Sequence, residues 1–79
     1  MLLEYDSEAD AIYVSFRPIG DGEVARTQSL DSNRNVDYDS DGVAVGVEFL
    51  NVRDGVQFEG LPRSEEIREL FAGLRVAAA

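Results

Sequence analysis

Two segments of the chain place apolar residues at every second position, and this period of two constrains the fold more than any other feature. In residues 43–50 the apolar positions are Val43, Val45, Val47 and Phe49. In residues 11–17 they are Ile12, Val14 and Phe16. Because successive side chains of a strand point to opposite faces, the alternation predicts two β-strands, each with one face turned towards a core.

Shorter patterns predict further strands, which are separated by turn-forming residues. We expect these strands near residues 2–5, 23–30 and 35–38. The strand at 23–30 is the more polar, which is typical of an edge. Asp41-Gly42 is typical of a hairpin turn, and Gly46 marks a bulge or a close approach to the backbone. Residues 56–58 are a candidate for a short additional strand.

From Pro62 onwards the apolar period becomes that of a helix. The stripe consists of Ile67, Leu70, Phe71 and Leu74, at i, i+3, i+4 and i+7. We predict an amphipathic helix over 61–76, with Ser64 as its N-cap or Pro62 as its first residue. Glu65 and Glu66 would lie in the first turn of this helix and Arg75 near its C-terminal end, where their charges interact favourably with the helix dipole. The stripe is expected to lie against the sheet or against another subunit.

These patterns predict an α+β fold in a single domain spanning 1–79. Residues 1–60 are expected to form a curled antiparallel β-sheet, a meander of about four to six strands. The C-terminal helix follows at 61–76. A chain of 79 residues has a thin core, and without cysteine it has no disulfide to support that core, so a metal or a partner subunit remains as possible support.

Charge and missing residue types exclude several functions. The chain has 16 acidic and 7 basic residues, a formal net charge of −9, which disfavours direct binding to nucleic acid or to anionic membranes. The negative charge favours binding of a basic protein partner or a cation, although an acidic surface can also simply keep a small protein soluble. With no His, Cys or Lys, the common catalytic bases and nucleophiles are missing, so we predict no enzyme and no cofactor. No leader or membrane segment is evident, which predicts a cytoplasmic location.

One segment matches a calcium-binding pattern. Residues 37–48 satisfy the EF-hand expression, with aspartates at its first, third and fifth positions, Gly42 at the turn and Glu48 last. An EF-hand loop joins two helices, whereas both flanks here predict strands, and an extended strand would carry Glu48 roughly 20 Å from the turn. Two alternatives remain. Either Asp37, Asp39 and Asp41 bind Ca²⁺ or Mg²⁺ weakly, or they only form a tight turn.

A second acidic cluster, Asp6, Glu8 and Asp10, lies in the turn before the strand at 11–17. Paired carboxylates can act in a hydrolase, but they then need a cleft and two different environments. We interpret this cluster as a solvated turn.

Two motifs together resemble a known family. They are Tyr5-Asp6-x-Glu8-Ala9-Asp10-Ala11-x-Tyr13 and Asp37-Tyr38-Asp39-x-Asp41-Gly42-x-x-x-Gly46-x-Glu48. The pair resembles a family of short bacterial proteins known only as domain of unknown function 2283, over residues 4–50. Val43 departs from the pattern, where a polar residue is expected. The resemblance implies a compact β-rich domain and implies no activity. Proteins that resemble this family are associated with small toxin and antitoxin pairs, so the resemblance implies that association as a hypothesis for this chain.

These observations favour a small, acidic, non-catalytic protein-interaction module. The expected partners are a second copy, forming a homodimer, and a small basic protein such as a toxin, with this chain in the antitoxin-like role. The alternative is a domain that binds a divalent cation through Asp37, Asp39 and Asp41. A third hypothesis, an enzyme that uses carboxylates alone, lacks most of the groups that a reaction requires.

Overall fold

The computed structural model describes residues 1–74 and confirms an α+β fold. Its strands are β1 (Leu2–Asp6), β2 (Ala11–Ser15), β3 (Arg26–Asp31), β4 (Arg34–Tyr38) and β5 (Ala44–Leu50). A single 3-10 turn follows at Val52–Asp54, and one helix, α1, spans Ser64–Ala72. All neighbouring strands are antiparallel, in one five-stranded sheet.

The strand order is β1-β2-β5-β4-β3, so the expected meander is wrong in one connection. After β2 the chain crosses to the opposite edge, forms β3, and returns through β4 to place β5 in the centre. A meander would leave β5 at an edge, although it has three consecutive buried residues, Val45, Gly46 and Val47. Burying the most apolar strand between two neighbours is the more favourable arrangement.

The sheet is not strongly curled, which corrects the expected curl. One face, here called the helix face, is covered by α1 and by the segment that leads to it. Because these elements already cover the apolar side chains, the sheet does not have to bend round its own core. The position of β3 at an edge confirms the prediction from its polarity, since all six of its residues are exposed.

The core lies between the helix face and α1. The strands contribute Ile12, Val14, Val36, Val47 and Phe49 to it, and the C-terminal segment contributes Val52, Val56, Phe58, Leu61, Ile67 and Phe71. Phe49, Phe58 and Phe71 meet edge to face, with ring centroids 5.1–6.2 Å apart. Such pairs contribute about 0.5–1.5 kcal/mol each beyond area burial. This cluster attaches the helix to the central strand.

Helix α1 is shorter than predicted, and it begins differently. Its N-cap is Arg63, in a left-handed conformation and without a side-chain capping bond, while Ser64 is the first helical residue. The expected roles of Ser64 as N-cap and Pro62 as first helical residue are therefore wrong. Arg63 instead binds Glu66, one turn ahead, through two hydrogen bonds of 3.0 and 2.6 Å.

The apolar stripe of α1 packs on the sheet of the same chain. Ile67 and Phe71 are buried, Leu70 is half-buried, and Leu74 is 49% exposed. Glu65 and Glu66 lie in the first turn, as expected. The predicted role of Arg75 falls outside the described residues.

Residues 56–58 alternate in burial without forming a strand. Val56 and Phe58 are buried, but only Val56 forms an isolated bridge. The candidate strand at residues 56–58 is therefore wrong as a strand of the sheet, although two of its three side chains are buried. In the part of the chain that the structure describes, no helix is long and apolar enough to cross a membrane.

Candidate functional site on the open face of the sheet

The face of the sheet opposite α1, here called the open face, is polar and at least partly exposed. The strand register places on it Leu2, Glu4, Asp6, Ala11, Tyr13, Ser15, Thr27, Ser29, Asn35, Asp37, Gly46, Glu48 and Leu50. Apart from Gly46, none of these residues is buried. The two arginines that lie in strands are both on the helix face, where Arg26 stacks on Tyr38 and Arg34 donates to backbone carbonyls.

The centre of the open face is the pair Tyr13 and Asp37. The Tyr13 hydroxyl donates to Asp37 Oδ2 at 2.7 Å, and the Thr27 hydroxyl donates to Asp37 Oδ1. The phenol reaches Asp37 by crossing β5 above Gly46, where an added Cβ would lie 2.6 Å from Tyr13 Cζ. The close approach predicted at Gly46 is thus confirmed, and the group that approaches is a side chain. The register shift beside it, between Asp37 and Tyr38, adds the bulge.

The environment of Tyr13 keeps its phenol protonated. Burial raises the pKa of Tyr13 well above its usual value, and the hydrogen bond to Asp37 and the charges of Asp37 and Glu48 raise it further. At neutral pH the phenol is therefore protonated and donates its hydrogen bond to Asp37. Its role on this face is to hold Asp37 and to present the ring surface.

Glu48 and Glu4 flank Tyr13. Tyr13 is paired with Glu4 on β1 and with Glu48 on β5, so the three side chains form one row across the sheet. Glu48 accepts a hydrogen bond of 3.0 Å from Asn35 Nδ2. Since Glu48 lies within β5, it does not turn back towards Gly42, as an EF-hand loop would require.

The three aspartates of the candidate cation site have separate surroundings. Asp37 is bound to Tyr13 and Thr27, as described. Asp39 Oδ1 accepts the backbone N–H groups of Asp41 and Val43 at 2.9 and 3.0 Å, which closes the β4–β5 turn. Asp41 is exposed at the tip. Within residues 1–74 no group of three or more acidic side chains is placed to hold a metal ion.

The acidic cluster of the first hairpin is likewise divided among structural contacts. Asp6 Oδ1 accepts the N–H groups of Glu8 and Ala9 at 3.0 and 3.2 Å, so it caps the β1–β2 turn. Asp10 adopts a positive φ of 52° and accepts the Arg53 N–H at 3.1 Å. These contacts agree with the interpretation of the cluster as a turn.

Two of these contacts could not be read from the sequence. Tyr13 and Asp37 are separated by 24 positions, and Asp10 and Arg53 by 43. The only local signal was Gly46, whose missing side chain indicated that another group approaches β5. Exposed Val43, where the motif suggested a polar residue, lies at the hairpin tip and is 57% exposed.

The comparisons with known proteins identify the family. A family model described as protein of unknown function (DUF2283) matches residues 3–53. The match covers more than half of the chain, so the protein belongs to the DUF2283 family, as the two motifs indicated. Neither the curated proteins nor the solved structures contained a match to the chain.

Proposed function

We propose that this protein is a non-catalytic interaction module that binds a basic protein partner through the open face. The observation that carries the proposal is the sign of the charge on that face. Glu4, Asp6, Asp37 and Glu48 all lie there, and no arginine occupies a strand position on it. A surface of one sign steers a partner of opposite charge and fixes its orientation.

The distribution of arginine elsewhere supports this interpretation. Four described arginines form ion pairs with acids away from the open-face row, namely Arg17–Glu23, Arg34–Asp31, Arg53–Asp10 and Arg63–Glu66. Arg26 and Arg68 lie over the rings of Tyr38 and Phe58. Arg17 also lies 3.7 Å from Asp39, beyond the end of β4. In the described residues, no arginine forms an ion pair with the open-face carboxylates Glu4, Asp6, Asp37 and Glu48, so their charge is available to a basic partner.

The absence of catalysis is also part of the proposal. Asp6 and Asp10 are occupied as hydrogen-bond acceptors in turns, and the phenol of Tyr13 stays protonated. Glu4, Asp6 and Glu48 line one depression of the open face together with Tyr13, and a binding role can use their charge directly. A binding role requires only the charge and the shape of the open face.

The finer hypotheses rest on the family resemblance and on composition. A small basic toxin is the partner that the resemblance suggests, with this chain as its antitoxin-like counterpart in the cytoplasm. Self-association as a dimer stays a prediction, and sedimentation velocity at several concentrations measures it directly.

The test is capture of partners from native extract by matched charge variants. The first variant, Glu4→Gln with Glu48→Gln, removes two charges from the open face. The control, Glu65→Gln with Glu69→Gln, removes two charges from exposed positions of α1. We expect a stoichiometric basic partner to be lost with the first variant, retained with the control, and released by high salt. Equal capture by the two variants would refute the open face as the binding surface.

A further inference from the structure

We propose that the basic partner extends the sheet, contributing an amphipathic basic strand that pairs antiparallel with β1. This inference rests on the proposed function, because it names the part of the partner that contacts the open face. A strand added at an edge forms backbone hydrogen bonds with that edge, while its alternate side chains contact neighbouring side chains on the two faces of the sheet.

The two edges of the sheet differ in regularity. β1 is paired with β2 over five consecutive positions, from Leu2 to Asp6, without a shift of register. β3, at the other edge, has a register shift between Ser29 and Asp31. Bulges at an edge disrupt the ladder and hinder further pairing. The unbroken edge is therefore β1.

The direction of the backbone groups of β1 follows from the hydrogen bonds of β2. Phe16 N–H donates to Val45 O, so the even-numbered residues of β2 bond towards β5 and the odd-numbered ones towards β1. The odd residues of β2 are paired with Leu2, Glu4 and Asp6. By alternation, Leu3 and Tyr5 direct their N–H and C=O groups outwards, and a new strand would bond to these two residues.

The side chains of this edge are suited to a strand that is apolar on one face and basic on the other. Tyr5 is 53% exposed on the helix face, where Leu3 packs against the core. Met1 and Leu2 are 41% and 59% exposed at the start of the strand. Glu4 and Asp6 stand on the open face of the same strand, with Glu48 two strands away. A partner strand with basic residues opposite Glu4 and Asp6 and apolar residues opposite Leu3 and Tyr5 complements this surface.

A second copy of the chain complements this edge less well than a basic strand does. The symmetric antiparallel pairing that places Leu3 opposite Tyr5 also places Glu4 opposite Glu4. Glu4 would then occupy a non-hydrogen-bonded pair, in which the Cα atoms are only about 4.5 Å apart, and like charges directly opposite each other are destabilising. A basic residue at that position turns the repulsion into an attraction, so the occupant is a basic strand.

The test uses a capped seven-residue peptide in which arginine and valine alternate. The control peptide has the same composition with its arginines grouped at one end, so that it keeps the charge and loses the alternation. Two protein variants separate the backbone from the side chain. Tyr5→Pro removes the outward N–H, which is unused in the free protein, and Tyr5→Thr keeps it. Circular dichroism establishes that each variant keeps the fold.

We expect the alternating peptide to bind Tyr5→Thr at least 10-fold more tightly than Tyr5→Pro. Amide hydrogen exchange should show new protection at Leu3 and Tyr5 when the peptide binds the unmodified chain, and this measurement holds even if Tyr5→Pro does not fold. Absence of that protection, or binding of both peptides alike, would overturn the added strand. If only the strand is wrong, the Glu4/Glu48 variant still loses the captured partner. If the proposed function is wrong as well, that variant captures the same proteins as its control.

Discussion

Replacing Gly46 by alanine should expel the ring of Tyr13 from its position above β5. The added Cβ would lie 2.6 Å from Tyr13 Cζ and 2.9 Å from Cε2, closer than a Cβ atom tolerates. The ring is the mobile partner, because its outer end is held only by the hydrogen bond to Asp37. We therefore expect the side chain to swing away and the Tyr13–Asp37 hydrogen bond to break.

The expected loss follows from two opposing effects. A hydrogen bond to a charged group contributes about 1.5–3 kcal/mol. Glycine in a strand is less favourable than alanine by about 0.5–1 kcal/mol, which offsets part of that loss. Gly46→Ala should therefore lower the free energy of unfolding by about 1–2 kcal/mol. For a chain of this size this corresponds to a fall in Tm of roughly 5–15 °C.

A double-mutant cycle tests the reasoning more sharply than the single variant. When Tyr13 is first replaced by alanine, no ring remains to collide with a side chain at position 46. Gly46→Ala should then stabilise the protein by about 0.5–1 kcal/mol, because only the backbone effect remains. The four proteins are compared by urea unfolding followed by circular dichroism, which gives the coupling between the two positions.

The decisive result is the sign of the stability change that Gly46→Ala causes when Tyr13 has already been replaced by alanine. If Gly46→Ala costs the same with and without the Tyr13 ring, the two residues are not in contact, and the open face is built differently. An unchanged stability in the single variant would contradict the close approach in the same way.

Three further predictions concern the pH response, the core and cations. Above a pH of about 10, the ordinary pKa of tyrosine, the protein should lose stability more steeply than Tyr13→Phe, because the folded state retains a proton that the unfolded chain releases; equal slopes in alkaline urea titrations would contradict this. Phe71→Ala should lower the free energy of unfolding by about 3–5 kcal/mol, since its ring packs on Phe49 and Phe58, and a loss below about 1 kcal/mol in urea unfolding would contradict that packing. Millimolar Ca²⁺ or Mg²⁺ should leave Tm unchanged relative to chelator, because Asp37 and Asp39 have other partners; a clear rise would restore the cation hypothesis.

The strands could be predicted from the sequence because their signal is local. Alternation in β2 and β5 and turn residues between strands locate each element within a few residues. The order of the strands could not be predicted in this way. Whether β5 joins β2 or stays at an edge depends on which apolar faces meet, and that is decided between segments far apart in the chain.

The site was harder to predict for a related reason. The aspartates at 37, 39 and 41 match the sequence pattern of a calcium-binding loop, yet each of them has different surroundings in the structure. Asp39 accepts backbone N–H groups at a tight turn, and acceptance of this kind is a common reason for aspartate in turns. The partners of Asp37 are Tyr13 and Thr27, which lie on two other strands, and no sequence spacing predicts contacts of this kind.

The position of α1 determines which surfaces a partner can use. The family match ends at residue 53, but the core includes Phe58, Ile67 and Phe71 beyond it. The matched segment alone would leave Phe49 and its neighbours on the helix face without cover, which is unfavourable in water. Because the C-terminal segment covers that face within the same chain, a partner cannot pack there without displacing it. The open face and the β1 edge do not require any such displacement. The exposed apolar side chains of β1 lie there, together with carboxylates that form no ion pair with a described arginine.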